Sequence, residues 1–363
     1  MSKPPPNNSG VGRAGGLLQV QQAGLVLVIL ALGMALTVFS GSHADPLTGR
    51  QVNNFLNPNT LLQTATDASF FAIMAVGATL VIISGGIDLS VGSVFALSGV
   101  TMAMFLRAWG PQSGAAAVIG GAVVCLGTGL LAGLINGSLV VGLRVHPFIV
   151  TLGTMWVFRG IAFVASRAES ILVPDALTNA AKASLGLGKT LAPIPMLIMV
   201  AVALLGWAFL TRMVPGRHIF AVGGNAEAAR YSGLRLGRVY LSVYAIAGLT
   251  AGIAAFLGGS YYGSASCADA TGYELYVIAA AVVGGASLAG GRGSVVSATL
   301  GAILITLIRQ SIRTLHFDQN YEWIIIGCAI IIAVVLDQTS SRLAQARLAR
   351  AAAAQADQQE GPS

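Results

Sequence analysis

Charge is what this sequence has least of. Asp, Glu, Lys and Arg together make up 9% of its 363 residues, while hydrophobic residues make up 55%. A soluble domain carries about 25% charge, so this chain cannot clothe a water-soluble globule of its size. Cysteine is nearly absent as well. Cys125, Cys267 and Cys328 lie far apart, with no pair at metal-ligand or redox spacing, and read as small packing residues. The net charge of +7 comes without a clustered basic face interleaved with aromatics, so no nucleic-acid partner is expected. Catalytic constellations are missing too. No His-Glu-x-x-His, Ser/His/Asp or Cys/His arrangement has a plausible setting, and His43, His146, His218 and His316 all read as loop residues. The expectation is a non-catalytic protein with no metal and no cofactor.

What the sequence does have is long apolar runs and 46 glycines. A membrane-spanning helix needs about 20 mostly apolar residues. Ten stretches qualify, at roughly 17–39, 60–84, 90–107, 114–142, 148–166, 193–212, 239–259, 275–289, 294–309 and 322–337. The eighth and ninth are short, which marks them as re-entrant or broken. The first is too long for the apolar part of a signal peptide, and no small-residue cleavage site follows it. None of the runs shows the alternating pattern of a transmembrane barrel. Backbone groups in hydrocarbon must be satisfied within their own segment, so the fold class is an all-α integral membrane bundle. Glycine suits it, because it lets lipid-embedded helices approach closely. Residues 1–16, rich in Pro, Gly and Asn, are expected to be disordered, 17–338 form the transmembrane domain, and 339–363 form a polar tail.

An even number of spans puts both termini on one side. Taking that side as the cytoplasm places twelve Lys and Arg residues inside and seven outside, as the positive-inside bias demands. Arg212, Arg217, Arg230, Arg235 and Arg238, around the loop 213–238, carry most of this asymmetry.

The run Gly85-Gly86-Ile87-Asp88-Leu89-Ser90-Val91-Gly92-Ser93 interrupts the apolar stretch between the second and third spans. Adjacent glycines are unfavourable inside a helix, and Asp88 and Ser90 can cap the helix that follows. Two readings stay open: a tight capped turn at the membrane surface, or a helix break that presents backbone groups to a transported substrate. A second glycine-rich run, Val283 to Ser294, shares the spacing Gly-x-x-Leu-x-x-Gly and suggests an internal repeat.

The loop from Pro215 to Gly233 is more ordered than a connector needs to be. Asn225 is a good N-cap, Glu227 falls in the first turn, Ala226 to Ser232 is helix-prone, and Gly233 is a natural stop. It reads as a short two-turn helix, an ordinary surface helix or a docking element. By contrast Ala183 to Thr190 fits a relaxed phosphate-loop pattern only by accident. No strand precedes it, and Pro193 follows. Charges within spans are functional candidates by default; here they are Asp67, Arg159 and Glu274. Arg159 and Glu274 can equally be structural, paired with carbonyls or with each other.

Four blocks then carry a resemblance. They are Ile83 to Ser93; Pro147 to Thr154 with Arg159-Gly160; Gly216-Arg217 through Gly233; and Gly272-Tyr273-Glu274-Leu275 through Gly293. In this order they resemble the permease subunits of ribose-type bacterial sugar ABC importers, over essentially residues 17–338. The resemblance implies a ten-helix permease of the bacterial inner membrane, embedded in lipid and paired with a second permease copy, identical or related. It implies a cytoplasmic ATP-binding subunit and a periplasmic sugar-binding protein as further partners. It makes the loop a coupling helix for the ATPase, through Gly216, Arg217, Gly223, Gly224, Asn225, Ala228, Ala229 and Gly233. Candidates for the substrate path are Gly85, Gly86, Asp88, Ser90, Asn136, Trp156, Arg159 and Glu274. The implied activity is alternating access, with translocation of a monosaccharide or related sugar. An ion-coupled secondary sugar transporter is the rival reading; the sequence offers no evident proton relay for it, and it leaves the ordered loop unexplained.

Overall fold

In the computed structural model the described residues are 9–44, 49–184, 192–318 and 320–328, together with 331, 332, 335 and 339. The chain opens with helix α1 (Ser9–Phe39) and a hairpin of β1 (Ser42–Ala44) and β2 (Gln51–Asn53). Helices α2 (Pro58–Ile83), α3 (Val91–Ala108), α4 (Gly114–Leu143) and α5 (Pro147–Ser166) follow. After strand β3 (Ile171–Leu172) and the short helix α6 (Asp175–Ala181) come α7 (Ile194–Arg212), α8 (Val214–Gly224) and α9 (Ala226–Tyr231). Helix α10 (Leu236–Tyr262), strand β4 (Ser264–Ala265), α11 (Tyr273–Val283) and α12 (Val295–Thr314) complete the numbered elements. Residues 321–328 are helical again.

Among the described residues, eight helices are long and apolar enough to cross a membrane. They are the first seven expected spans and the ninth. The ninth is longer than its apolar run suggested, because α12 continues to Thr314 through Arg309 and Arg313. The eighth is indeed short: α11 has 11 residues, a rise of about 16 Å, half of what a bilayer core requires. The tenth lies only partly within the described residues. The polar tail beyond residue 339 and most of the phosphate-loop-like stretch, 185–190, lie outside them. One expectation is corrected: α1 begins at Ser9 rather than Leu17, so half of the stretch read as disordered is helical. Helix propagation onto an existing span costs little once the nucleus exists, and composition alone underrated that.

Helix α2 is the axis of the bundle. Its most apolar stretch is 94% buried, against 11% for α1 and α7. It packs on α10, α12, α7 and α11. The tightest seam joins α4 to α10. There Gly129, Gly133 and Gly137, spaced four apart, face Gly248, Gly252 and Tyr244. A Cβ on Gly129 would lie 2.9 Å from the Gly252 Cα, and one on Gly137 3.0 Å from the Leu241 Cα. This is the small-residue packing of membrane helices, and it accounts for much of the glycine in the sequence. The peripheral helices instead expose apolar side chains such as Leu27, Leu30, Met34, Ile119, Val123 and Leu205, as a lipid-facing surface requires.

Candidate functional site

Two helix breaks share one construction. At the end of α2, Gly85 has φ +86°. Its N–H donates to the Ile82 carbonyl, and the Gly86 N–H donates to the Val81 carbonyl. At the end of α11, Gly285 has φ +91°, with Gly285 N–H on Val282 and Ala286 N–H on Ala281. Both are Schellman stops, in which a left-handed residue just past the helix turns two N–H groups back onto its last carbonyls. The internal similarity read from the sequence is therefore a repeated local structure. Its register differs by one residue, since Gly85 matches Gly285, whereas the Gly-x-x-Leu spacing paired Gly86 with Gly285. Eight residues separate Ala286 from α12, against four between Gly86 and α3, so the second break is 284–294 and the first 84–90.

The first break is anchored sideways. Asp88 Oδ1 accepts from the Ser90 N–H at 2.8 Å and from the Ser90 hydroxyl at 2.6 Å. Ser90 Oγ in turn accepts from Asn136 Nδ2 of α4 at 2.7 Å. Thr151 of α5 accepts from the Leu89 N–H at 3.2 Å and donates to the Ile87 carbonyl at 3.1 Å. The expectation that Ser90 caps α3 is corrected, because no helix N–H reaches its side chain. Asp88, Ser90 and Asn136 are all buried, and hydrogen bonding is what makes such burial tolerable. Beneath Gly86 lies Tyr244 of α10, fully buried with no partner for its hydroxyl among the described residues. A Cβ on Gly86 would lie 2.8 Å from that oxygen. Neither Tyr244 nor Thr151 was singled out from the sequence; apolar neighbours hide the first, and the second is an ordinary helix threonine until the fold brings residue 87 to it.

The remaining path candidates gather elsewhere. Arg159 of α5 donates to the carbonyls of Cys267 at 2.7 Å, Asp269 at 2.6 Å and Ala270 at 3.4 Å. It thus clamps the segment between β4 and α11. Glu274 opens α11, and one of its carboxylate oxygens is buried without a hydrogen-bond partner among the described residues. A Cβ on Gly92, in the first turn of α3, would lie 2.5 Å from that oxygen. Trp156 stands apart, 69% exposed on the outer face of α5. Asp67 is bound by Tyr262 at 2.6 Å, Gln63 at 2.9 Å and Arg313 at 3.3 Å. It ties α2, α10 and α12 together.

The loop between α7 and α10 holds two helices where one was expected. The second, α9, is built as its sequence suggested. Asn225 accepts from the Ala228 N–H, and Gly233, at φ +85°, closes another Schellman stop onto Arg230 while Leu234 bonds Ala229. Ala229 is buried, while Arg217, Asn225 and Ala228 are exposed. The first helix, α8, was missed, and His218 lies inside it rather than in a loop. Its signals were Pro215 in the first turn and the buried pair Ile219 and Val222, masked by glycine at both ends. Gly216 is needed where α8 turns off α7, since a Cβ there would lie 2.5 Å from the Phe209 carbonyl.

Helix α8 meets both breaks. The Ile83 carbonyl, at the end of α2, accepts from the Gly291 N–H at 2.8 Å. Gly223 of α8 packs on that same carbonyl, and a Cβ on Gly290 would lie 2.7 Å from the Gly223 oxygen and 3.1 Å from the Gly85 Cα. Three glycine pairs, 85–86, 223–224 and 290–291, thus converge at one end of the bundle.

Residues 60–334 match the family described as a branched-chain amino acid transport system permease component. The chain belongs to this family of ABC transporter permeases. It is 37% identical over 290 residues to the D-allose transport system permease protein AlsC of Escherichia coli K12, covering 79% of this chain and 86% of that one. It is 36% identical over 313 residues to the ribose import permease protein RbsC of Bacillus subtilis, covering 85% and 92%. It is 32% identical over 295 residues to the fructose import permease protein FrcC of Rhizobium meliloti, covering 80% and 81%. No solved structure matches. As a permease of this family the chain is a transport component of a multi-pass importer of the inner membrane, working with an ATP-binding subunit and a periplasmic binding protein. Among the described residues, no group of three His, Cys, Asp or Glu could hold a metal.

Proposed function

We propose that this permease moves a monosaccharide or a closely related polyol by alternating access between two permease copies embedded in lipid. The observation that supports it best is the convergence of α8, which carries the capped helix α9, on both helix breaks, in a chain whose relatives are permeases for allose, ribose and fructose. A loop so placed serves to receive mechanical work from an ATPase, which an ion-coupled carrier does not need. Uncharged, hydroxyl-rich sugars suit a path offering carbonyls, hydroxyls and amides. Gly86, Asp88, Ser90 and Asn136 are its candidate inner lining and Arg159 and Glu274 its middle, whereas exposed Trp156 suits a lipid or partner-facing role. Uptake of labelled sugars by a deletion strain carrying this permease tests the reading. ATP-dependent uptake of one sugar should survive collapse of the proton gradient; loss of uptake with the gradient overturns it.

Both termini and the loop 213–238 belong to the cytoplasm in this proposal. A cysteine at the exposed position Lys182 should react with an impermeant reagent added outside, and one at Asn225 should not; the reverse pattern inverts the topology. The docking role of α9 is tested by the double change Glu227→Arg with Gly233→Val. It sets a positive charge at the positive helix end and forces a β-branched residue to positive φ. We expect uptake to be lost and the ATP-binding subunit to co-purify poorly, while the binding protein still docks.

A further inference from the structure

We infer that Gly223 is the positioning residue that transmits movement of the α8–α9 pair to both helix breaks at once, so that the inner ends of α2, α11 and α8 move as one rigid unit. The inference rests on the proposed coupling role of the loop. Its starting point is that one backbone oxygen serves two neighbours. The Ile83 carbonyl is the last of α2, and the Schellman stop leaves it free of any bond within its own helix. It accepts instead from Gly291, across the bundle, at 2.8 Å. Gly223 lies against the same oxygen, and a Cβ on Gly223 would overlap it while coming within 2.7 Å of the Gly291 nitrogen. Gly290 closes the contact from the other side, 2.7 Å from the Gly223 oxygen by its would-be Cβ.

Backbone meeting backbone is what makes this a joint. Side chains can change rotamer and absorb a displacement, whereas main chains in van der Waals contact, tied by a hydrogen bond, have no such slack. A push on α8 therefore reaches the end of α2 and the turn after α11 with no flexible group between. The neighbouring glycine supplies the contrast, since a Cβ on Gly224 would meet nothing within 4 Å. Two adjacent glycines in one helix end thus differ in direction: a Cβ on Gly223 would fill the joint, and one on Gly224 would point away from it.

The test compares Gly223→Ala with Gly127→Ala, an exposed position of α4 where a Cβ would meet nothing within 4 Å, in the full complex of permease, ATP-binding subunit and binding protein, reconstituted in vesicles. Gly127→Ala should leave uptake and sugar-stimulated ATP hydrolysis within about twofold of the parent. Gly223→Ala should still co-purify with the ATP-binding subunit, because α9 is untouched, yet lose stimulation by sugar-loaded binding protein and lower uptake by about tenfold. Equal behaviour of the two variants, whether both sound or both damaged, overturns the inference. A second arm leaves the joint intact. Spin labels at Gly224→Cys and Ala289→Cys, both exposed, should show unchanged dipolar broadening between nucleotide-free and ATP-trapped complexes. A change in broadening means that the contact opens during the cycle, and the rigid joint is wrong even if Gly223→Ala fails to assemble. If the parent complex shows no ATP-driven uptake at all, the coupling reading itself fails, a result separate from either arm.

Discussion

The two helix breaks end their helices in the same way and then differ in everything that follows. Both α2 and α11 stop at a glycine with φ near +90°, with the same pair of reversed hydrogen bonds. After the stop, the first break is stapled to α4 and α5 by side chains, through Asp88, Ser90, Asn136 and Thr151. The second carries main-chain bonds, Ser287 N–H on Arg292, Gly290 N–H on Ser287 and Gly291 N–H on Ile83. A helix stop is a local matter that few residues can encode. What the freed backbone does next depends on which helices stand beside it. The first break faces α4, α5 and α10, and the second faces α2 and α8.

The position just after each stop should separate them most. Gly86 and Ala286 occupy the same place, yet only Gly86 lies over the Tyr244 hydroxyl. Gly86→Leu should therefore lower sugar uptake by about tenfold or more through overpacking, with the protein still in the membrane by immunoblot. Ala286→Gly, which only removes a buried methyl, should destabilise by about 1 kcal/mol and transport nearly normally. Full transport by Gly86→Leu would show that the first break is a mere turn.

A middle-sized effect is expected from the side-chain staple. Asn136→Leu removes the amide that donates to Ser90 and leaves a buried hydroxyl with one partner fewer, a loss of about 1–3 kcal/mol. A fluorescence melt of the purified protein should show the lower Tm, and uptake should fall several-fold. If the melt is unaltered, the staple does not hold the first break in place.

The smallest difference should come from the stops themselves. Gly85→Ala and Gly285→Ala each force an L side chain to positive φ, at about 1–2 kcal/mol. Their melts should shift alike. A Gly85→Ala protein that melts normally but transports far worse than Gly285→Ala would mean that the first stop moves during transport.

The sequence made much of this legible. Ten apolar stretches located eight full spans, the first seven and the ninth, and the truncated eighth stretch, because the need to satisfy the backbone in hydrocarbon acts on each segment separately. The cap and stop of α9 were readable for the same reason, since Asn225 and Gly233 act within one turn of chain. Helix α8 was not, because its glycines, Gly216 and Gly223, answer to neighbours rather than to their own helix. Asp88 and Ser90 were rightly placed at the break but wrongly paired, since capping α3 asks for the same residue types as the bonds actually made, Ser90 on Asp88 and Asn136 on Ser90.

Local chemistry, then, lay in the sequence by itself: membrane residence, where helices stop, and which turn carries a cap. Only the tertiary structure decided that Tyr244 lies under Gly86, that Arg159 reaches three carbonyls of the segment before α11, and that Gly223 and Gly291 meet at the Ile83 oxygen. The physical reason is that these contacts are made between main chains or across more than a hundred residues of chain. A carbonyl oxygen carries no signature of its own in a sequence, and a glycine shows only that something comes close, not what.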